Sequence, residues 1–362
     1  MQVLSVIMAC FAAIGALDLV FGNKLGIGGE FKKGIVIMGQ SAMSTVGIIT
    51  LAPLLSFVLR PALSALASAI PFDPSSIVGL LLANDMGAAS LASDLALSDQ
   101  AAYFNGLIVG SMLGVNISYS IPLAMSLVDK DKQDGYLLGT VCGFCTVPIG
   151  CLIGGLVAGM GWKELLVNST PLLLVCITVT VLLMKAPTFC VKLFRFIGIL
   201  LKSAAYVGLA LGIFLHLTGL SLPHLAPVKD GFEVVVNSTI FSAGAFPFVY
   251  LLSVLLKKPL KIIGIKANLN PASTIGFLSS LATNLTTFSM MKEMDEKGVV
   301  LNAAFSVSAS FVFAGHLAFT FVINPAYAIP MIVGKLIGGF SAIILTWFIF
   351  EGTKQKKSAA QA

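Results

Sequence analysis

The chain is a succession of long apolar runs with little between them, and that pattern decides its fold class. A helix needs roughly 20 apolar residues to cross the hydrocarbon core of a bilayer. Runs meeting that length fall at 2–22, 34–59, 101–127, 136–160, 166–184, 196–218, 233–256, 299–323 and 327–350. Only 10% of residues are charged and 57% are hydrophobic, where a soluble domain carries about a quarter charged. These features predict an all-α integral membrane protein, a polytopic helical bundle of about nine spanning helices. No Lys or Arg precedes Lys24, so the first run lacks the basic leader of a signal peptide and reads as a retained span. The formal charge of +6 does not point to nucleic acid, because the lysines sit between apolar runs, as membrane topology requires.

Two further segments, 74–97 and 271–291, begin apolar and turn polar. Each contains a break, at Asn84-Asp85 and at Thr283-Asn284. They read as re-entrant hairpins or broken helices, which exist at membrane depth only where they line protein or a watery cavity. If both re-enter and the N-terminus is outside, seventeen loop Lys and Arg fall on the cytoplasmic side, against Arg60, Lys163 and Lys229 outside. If both span, the split is ten to ten, against the positive-inside rule. Spanning by the first alone gives fifteen to five, so charge leaves the first segment open between spanning and re-entry.

An internal repeat bears on this. Asp73-Pro74-Ser75-Ser76-Ile77-Val78-Gly79 returns as Asn270-Pro271-Ala272-Ser273-Thr274-Ile275-Gly276, and the same offset of 197 places Asn105 on Asn302 and Ser111 on Ser308. With the two hairpins entering from opposite faces, this is an inverted-topology repeat, a plan that builds sites near the midplane from discontinuous segments. The expected division is an N-terminal repeat at 1–160, a connecting span at 161–190, a C-terminal repeat at 191–350 and a disordered cytoplasmic tail at 351–362.

The segment 73–122 concentrates the polar groups. Asp85 is a carboxylate among apolar neighbours, a placement costing roughly 2.5–3.5 kcal/mol on insertion scales. It reads as counter-charge to a cationic solute or as a proton carrier; the plainer reading is a helix cap at the break, a task Asn84 could perform alone. Asn284 is its partner in the second hairpin, with a local turn residue as the alternative. Asn116, Ser118, Tyr119 and Ser120 cluster before Pro122, either to contact a solute or to bond between helices. The ring of Tyr119 could face an ammonium. His316, deep in a C-terminal span, reads as a proton relay or as a satisfied core histidine. Lys202 and Lys335 are expected to snorkel to the interface, with Asp18 as their equivalent. Six scattered cysteines, including Cys142 and Cys145 in a CxxC, lack the partners of a metal site and read as small hydrophobes. The glycines spaced four apart, such as Gly106, Gly110 and Gly114, read as packing surfaces. No HExxH, GxSxG or phosphate-cradling loop is present. An intramembrane hydrolase pair of Ser111 and His316 is the rival from another class, and a sensory or assembly protein without flux is a third reading.

Several strings together resemble the ethanolamine utilization permease family, EutH: Leu82-Ala83-Asn84-Asp85-Met86-Gly87, Gly110-Ser111-Met112, Ser120-Ile121-Pro122 and Val147-Pro148-Ile149-Gly150-Cys151. Met290-Met291-Lys292-Glu293-Met294-Asp295, His316-Leu317 with Phe319-Thr320, and Pro330-Met331-Ile332-Val333-Gly334-Lys335-Leu336 extend the resemblance, which runs from about 34 to 340. The chain departs from the family at Gly315, where members carry Asp, so an acidic neighbour in sequence is absent beside His316. The resemblance implies import of ethanolamine across the bacterial cytoplasmic membrane, while the charge count favours an outside N-terminus and a cytoplasmic C-terminus. Asp85 would hold the ammonium while Asn84, Asn116 and Ser120 serve the hydroxyl. Another small amine or an ion-coupled solute is the alternative cargo. The expected partners are the small molecule and the bilayer, without nucleic acid, cofactor or metal, and a homo-oligomer stays open.

Overall fold

The structure is a computed structural model that describes residues 2–69 and 72–361. Its regular elements are all helices, with no strand among those residues. The chain opens with α1 (Gln2–Val20) and the long α2 (Ile27–Ala69). Two short helices follow, α3 (Ser76–Leu81) and α4 (Ala88–Leu95), and then α5 (Asp99–Leu127), α6 (Gln133–Val157), α7 (Trp162–Lys185) and α8 (Pro187–Thr218). The second half holds α9 (Val228–Lys266), the short α10 (Pro271–Ala282) and α11 (Asn284–Met290), α12 (Glu296–Ala309), α13 (Gly315–Ile323) and α14 (Ala328–Gln361). The segment expected to form a separate tail continues α14 as far as Gln361, and Ala362 lies outside the described residues.

Among the described residues eight helices are long and apolar enough to cross a membrane. The ninth expected run, 299–323, is not one helix. It stops at Ala309 and restarts at Gly315. Phe311 takes φ +60°, a conformation that costs a non-glycine residue about 1–2 kcal/mol. The break is held from outside: the Phe311 and Phe313 amides donate to the carbonyls of Ser280 and Leu281 in α10. The Val307 carbonyl, which loses Phe311 as its helical donor, accepts instead from the Asn116 side chain at 2.7 Å.

Both polar segments fold back on themselves. Asp73 sits buried where α3 begins; its carboxylate accepts from the Ser75 amide and hydroxyl and, at 3.0 Å, from the Leu97 amide beyond α4. Thus the two ends of this segment meet, which a spanning helix cannot do. The second segment is closed by the mirror arrangement. Asp295, after α11, accepts from the Asn270 amide at 2.8 Å and from the Ser273 hydroxyl. We refer to α3–α4 and α10–α11 as hairpins one and two. Ser98 at the base of hairpin one donates to Glu164 in the α6–α7 region, whereas Lys132 in the α5–α6 turn donates to the Met294 carbonyl at the base of hairpin two. These turns lie at opposite ends of α6, whose 25 residues span about 37 Å.

Burial orders the helices. The apolar window of α5 is 83% buried, while those of α1 and α8 are 17% and 22% buried. Hence α5 is the central post, and α1 and α8 present residues such as Val3, Phe196 and Val207 outward, where lipid tails would meet them. Hairpin one docks on the glycine face of α5. A Cβ on Gly114 would lie 2.1 Å from the Leu82 carbonyl oxygen, and one on Gly79 2.2 Å from that of Asn105. Side chains are excluded here because the backbones touch.

Candidate functional site

Hairpin one breaks in a short turn, Asn84–Met86, ended by Gly87 at φ +81°. A β-carbon is disfavoured in that left-handed conformation, so glycine suits the position. The turn leaves Asp85 at the tip with its side chain about a third exposed, facing a cavity of about 430 Å³. Its backbone carbonyl is held by the Thr45 hydroxyl from α2. Hairpin two brings Ala282, Thr283 and Leu285 to the same cavity, so both tips share it. The remaining walls come from α2 (Gln40, Ser41, Ser44), α5 (Ser118, Tyr119), α8 (Lys202, Tyr206), α9 (Ser238, Thr239, Ser242) and the broken helix (Phe311, Gly315, Phe319).

Of the predicted site residues, Asp85, Ser118 and Tyr119 line this cavity and five do not. Asn84 is buried, donating to the His316 carbonyl at 3.2 Å and to the Thr320 hydroxyl at 3.1 Å. Asn284 is buried and donates to the Ser120 hydroxyl at 2.9 Å. Each tip amide therefore grips a helix of the other half of the chain. Asn116 also donates to the Met112 carbonyl, besides holding the helix break, and the Ser118 hydroxyl donates to the Gly114 carbonyl. The Tyr119 ring lies edge-on to Phe311, 6.2 Å between centroids.

His316 is fully buried behind the tip. Its Nε2 lies 4.0 Å from an Asp85 carboxylate oxygen, and Nδ1 lies 3.2 Å from the ammonium of Lys335. Hairpin one thus sets a carboxylate beside His316, although the residue preceding the histidine in sequence is Gly315. Gly315 keeps the space open: a Cβ there would meet only Asp85 Oδ2, at 3.9 Å.

Lys335 corrects an expectation. It does not snorkel; it is fully buried two turns into α14 and donates to the Ser111 carbonyl as well as contacting His316. A signal existed in its position, eight residues inside the run 327–350, but the linear sequence does not show what it touches. Lys202 likewise lies mid-helix on the cavity wall, not near a helix end. Asp18 is buried and accepts from the Leu25 and Gly28 amides, fixing the turn between α1 and α2. The Ser111 hydroxyl donates to the Ile108 carbonyl in its own helix, so Ser111 and His316 do not form a nucleophile–base pair in this arrangement. All six cysteines are free, and among the described residues no His, Cys, Asp and Glu gather into a metal-binding group.

The arrangement offers a small polar solute one carboxylate, several hydroxyls and aromatic walls, inside a helical membrane bundle. A family profile described as "Ethanolamine utilisation protein, EutH" matches residues 1–349. The chain is 38% identical over 361 residues to the "Probable ethanolamine permease EutH" of Listeria monocytogenes, covering 99% of this chain and 97% of that one. The protein of the same description from Salmonella typhimurium is 34% identical over 402 residues, covering 100% and 98%. "Uncharacterized protein YxeR" of Bacillus subtilis is 37% identical over 341 residues, covering 93% and 91%. No solved structure matches the chain. Matched over nearly its whole length by both profile and relatives, this polytopic membrane chain belongs to the EutH family of ethanolamine utilisation proteins.

Proposed function

We propose that the protein is a permease that carries protonated ethanolamine across the bacterial cytoplasmic membrane by alternating access. The observation that carries this reading is the placement of Asp85, a lone cavity carboxylate at the tip of a re-entrant hairpin facing the tip of a second one. Ethanolamine carries its charge on a primary amine, protonated near neutral pH as a lysine amine is. A carboxylate at reduced dielectric attracts such a cation far more strongly than water does. The hydroxyls of Ser41, Ser44 and Ser118 can meet the alcohol, and the Tyr119 face can lie against the ammonium.

Alternating access is supported by the order of elements. A long helix, a hairpin, a central helix and a closing helix occur as α2, hairpin one, α5 and α6, and again as α9, hairpin two, α12–α13 and α14. The hairpins are based at opposite ends of α6, as an inverted repeat requires. Each hairpin then serves as the gate on its own side. The excess of Lys and Arg around the base of hairpin two supports a cytoplasmic position for that end.

The test is uptake of labelled ethanolamine into proteoliposomes. The parent protein takes it up in a saturable way, and Asp85→Asn loses uptake while keeping its elution profile in detergent. Undiminished uptake in Asp85→Asn would remove Asp85 from the mechanism. Competition by a panel of amines and polyols identifies the cargo, with small primary amino alcohols expected to compete best.

A further inference from the structure

Lys335, His316 and Asp85 form a row that runs from the protein interior to the cavity. The protons in that row can be placed by valence. The Lys335 ammonium has three donors and no acceptor, so its 3.2 Å contact with His316 Nδ1 requires a lone pair on that nitrogen. The remaining ring proton of a neutral imidazole then sits on Nε2, which faces the Asp85 carboxylate and has no other partner. The row is neutral overall, one buried cation balanced by one carboxylate at the cavity. A second arrangement, one proton poorer, exists in the same geometry: a deprotonated Lys335 accepting from Nδ1–H, with His316 in the other tautomer, leaves only the carboxylate's negative charge, which a bound ammonium would balance.

We propose that binding of an ammonium ligand at Asp85 expels one proton from this row, so that Lys335 is an internal cation exchanged for the ligand's charge. This rests on the assignment of Asp85 as the ammonium site. When the ligand neutralises Asp85, the row would hold an excess positive charge in a place closed to water. Charge balance returns when Lys335 passes a proton from Nζ to His316 Nδ1. His316 then passes its Nε2 proton to the cavity by way of the carboxylate, whose partly exposed side chain can swing across the 4.0 Å gap. The site ends with the carboxylate paired to the ligand, His316 carrying its proton on Nδ1 and Lys335 uncharged. One N–H bond breaks at Lys335 as one forms at Nδ1, and the Nε2–H bond breaks as its proton leaves to water. Transport would then be electroneutral, one ammonium inward for each proton outward.

The other titratable groups around the row are few. Tyr119 from α5, and Lys202 and Tyr206 from α8, share the cavity with Asp85, and Cys151 of α6 lies within electrostatic reach of Lys335. The cavity walls from α2, α9 and hairpin two are uncharged. None of these other groups contacts His316 by hydrogen bond or ion pair. Lys202 is exposed on the cavity wall and contributes to the field there without entering the row.

The test is titration calorimetry of full-length purified protein with ethanolamine hydrochloride, in two buffers of unequal ionisation enthalpy that are not primary amines. The difference in heat gives the protons released per ligand bound. The parent protein should release close to one proton, and Lys335→Gln should bind while releasing close to none. Lys335→Arg provides a second variant, because guanidinium keeps its proton; it too should release none. Binding heat without proton release in the parent protein overturns the exchange on its own, whatever the variants do. Release persisting in a Lys335 variant also overturns it, since the proton would come from elsewhere. Binding that survives Asp85→Asn would instead refute the ammonium site itself, so the two failures are separable.

Discussion

At the scale of single residues, the polar groups divide by what they touch. Asp85 faces open space; Asn84, one residue earlier, is committed to the backbone and hydroxyl of α13. Sequence could mark both as costly at membrane depth but could not separate them, because their difference is one of direction at a turn. Truncation should separate them. Each interhelical hydrogen bond in a membrane protein contributes about 0.6 kcal/mol, rarely above about 1.7. Asn84→Ala, losing two, is expected to lower thermal stability in detergent by a few degrees and to slow uptake without abolishing binding. A fluorescence-based melting curve beside the calorimetric titration checks both halves of that expectation. Lys335 was illegible for a different reason. A lysine two turns from a helix start can reach the interface as readily as the interior, and only the packing of α14 against α5 and α13 decides which.

Among the elements, the hairpins were the more legible feature and the broken helix the less. Asn-Asp and Thr-Asn interruptions in short apolar runs are visible in the sequence, and the meeting of Asp73 with Leu97 resolves re-entry for the first. The run 299–323 carries no glycine or proline between Ala309 and Ala314, so nothing local forecasts its interruption. The stop is imposed by α10, whose carbonyls capture the Phe311 and Phe313 amides, and by Asn116. Hairpin one depends in turn on the glycine face of α5. Gly114→Ala places a methyl carbon 2.1 Å from the Leu82 oxygen, a backbone atom that cannot step aside. Overpacking of this kind costs typically about 1–3 kcal/mol. A lower melting temperature and reduced uptake are expected for Gly114→Ala, but not for Gly39→Ala, where a Cβ meets nothing within 4 Å. Equal melting temperatures for the two variants would show that the hairpin yields more easily than its contacts indicate.

For the whole molecule, the charge count favours re-entry of the second segment and leaves the first open, and the internal repeat points to opposed hairpins. The contacts of Ser98 and Lys132 with Glu164 and Met294 place the two bases at opposite ends of α6. A cysteine-free background carrying Leu97→Cys or Lys130→Cys tests this in sealed vesicles. An impermeant maleimide should reach the first from one side only and the second from the other, with Lys130→Cys labelled from the cytoplasm. Labelling of both from one side would refute the opposed arrangement. The row of Lys335 has a mechanical corollary. Its side chain ties α14 to the backbone of α5 and to the ring on α13, and in the unloaded protein sliding any one of the three would strand a charge in hydrocarbon. Under the proposed alternating access those helices would travel as one block. The slip plane would then fall along the long pair α2 and α9, where hairpin one is tethered to α2 by the hydroxyls of Thr45 and Ser56, contacts that a modest shear can break and remake.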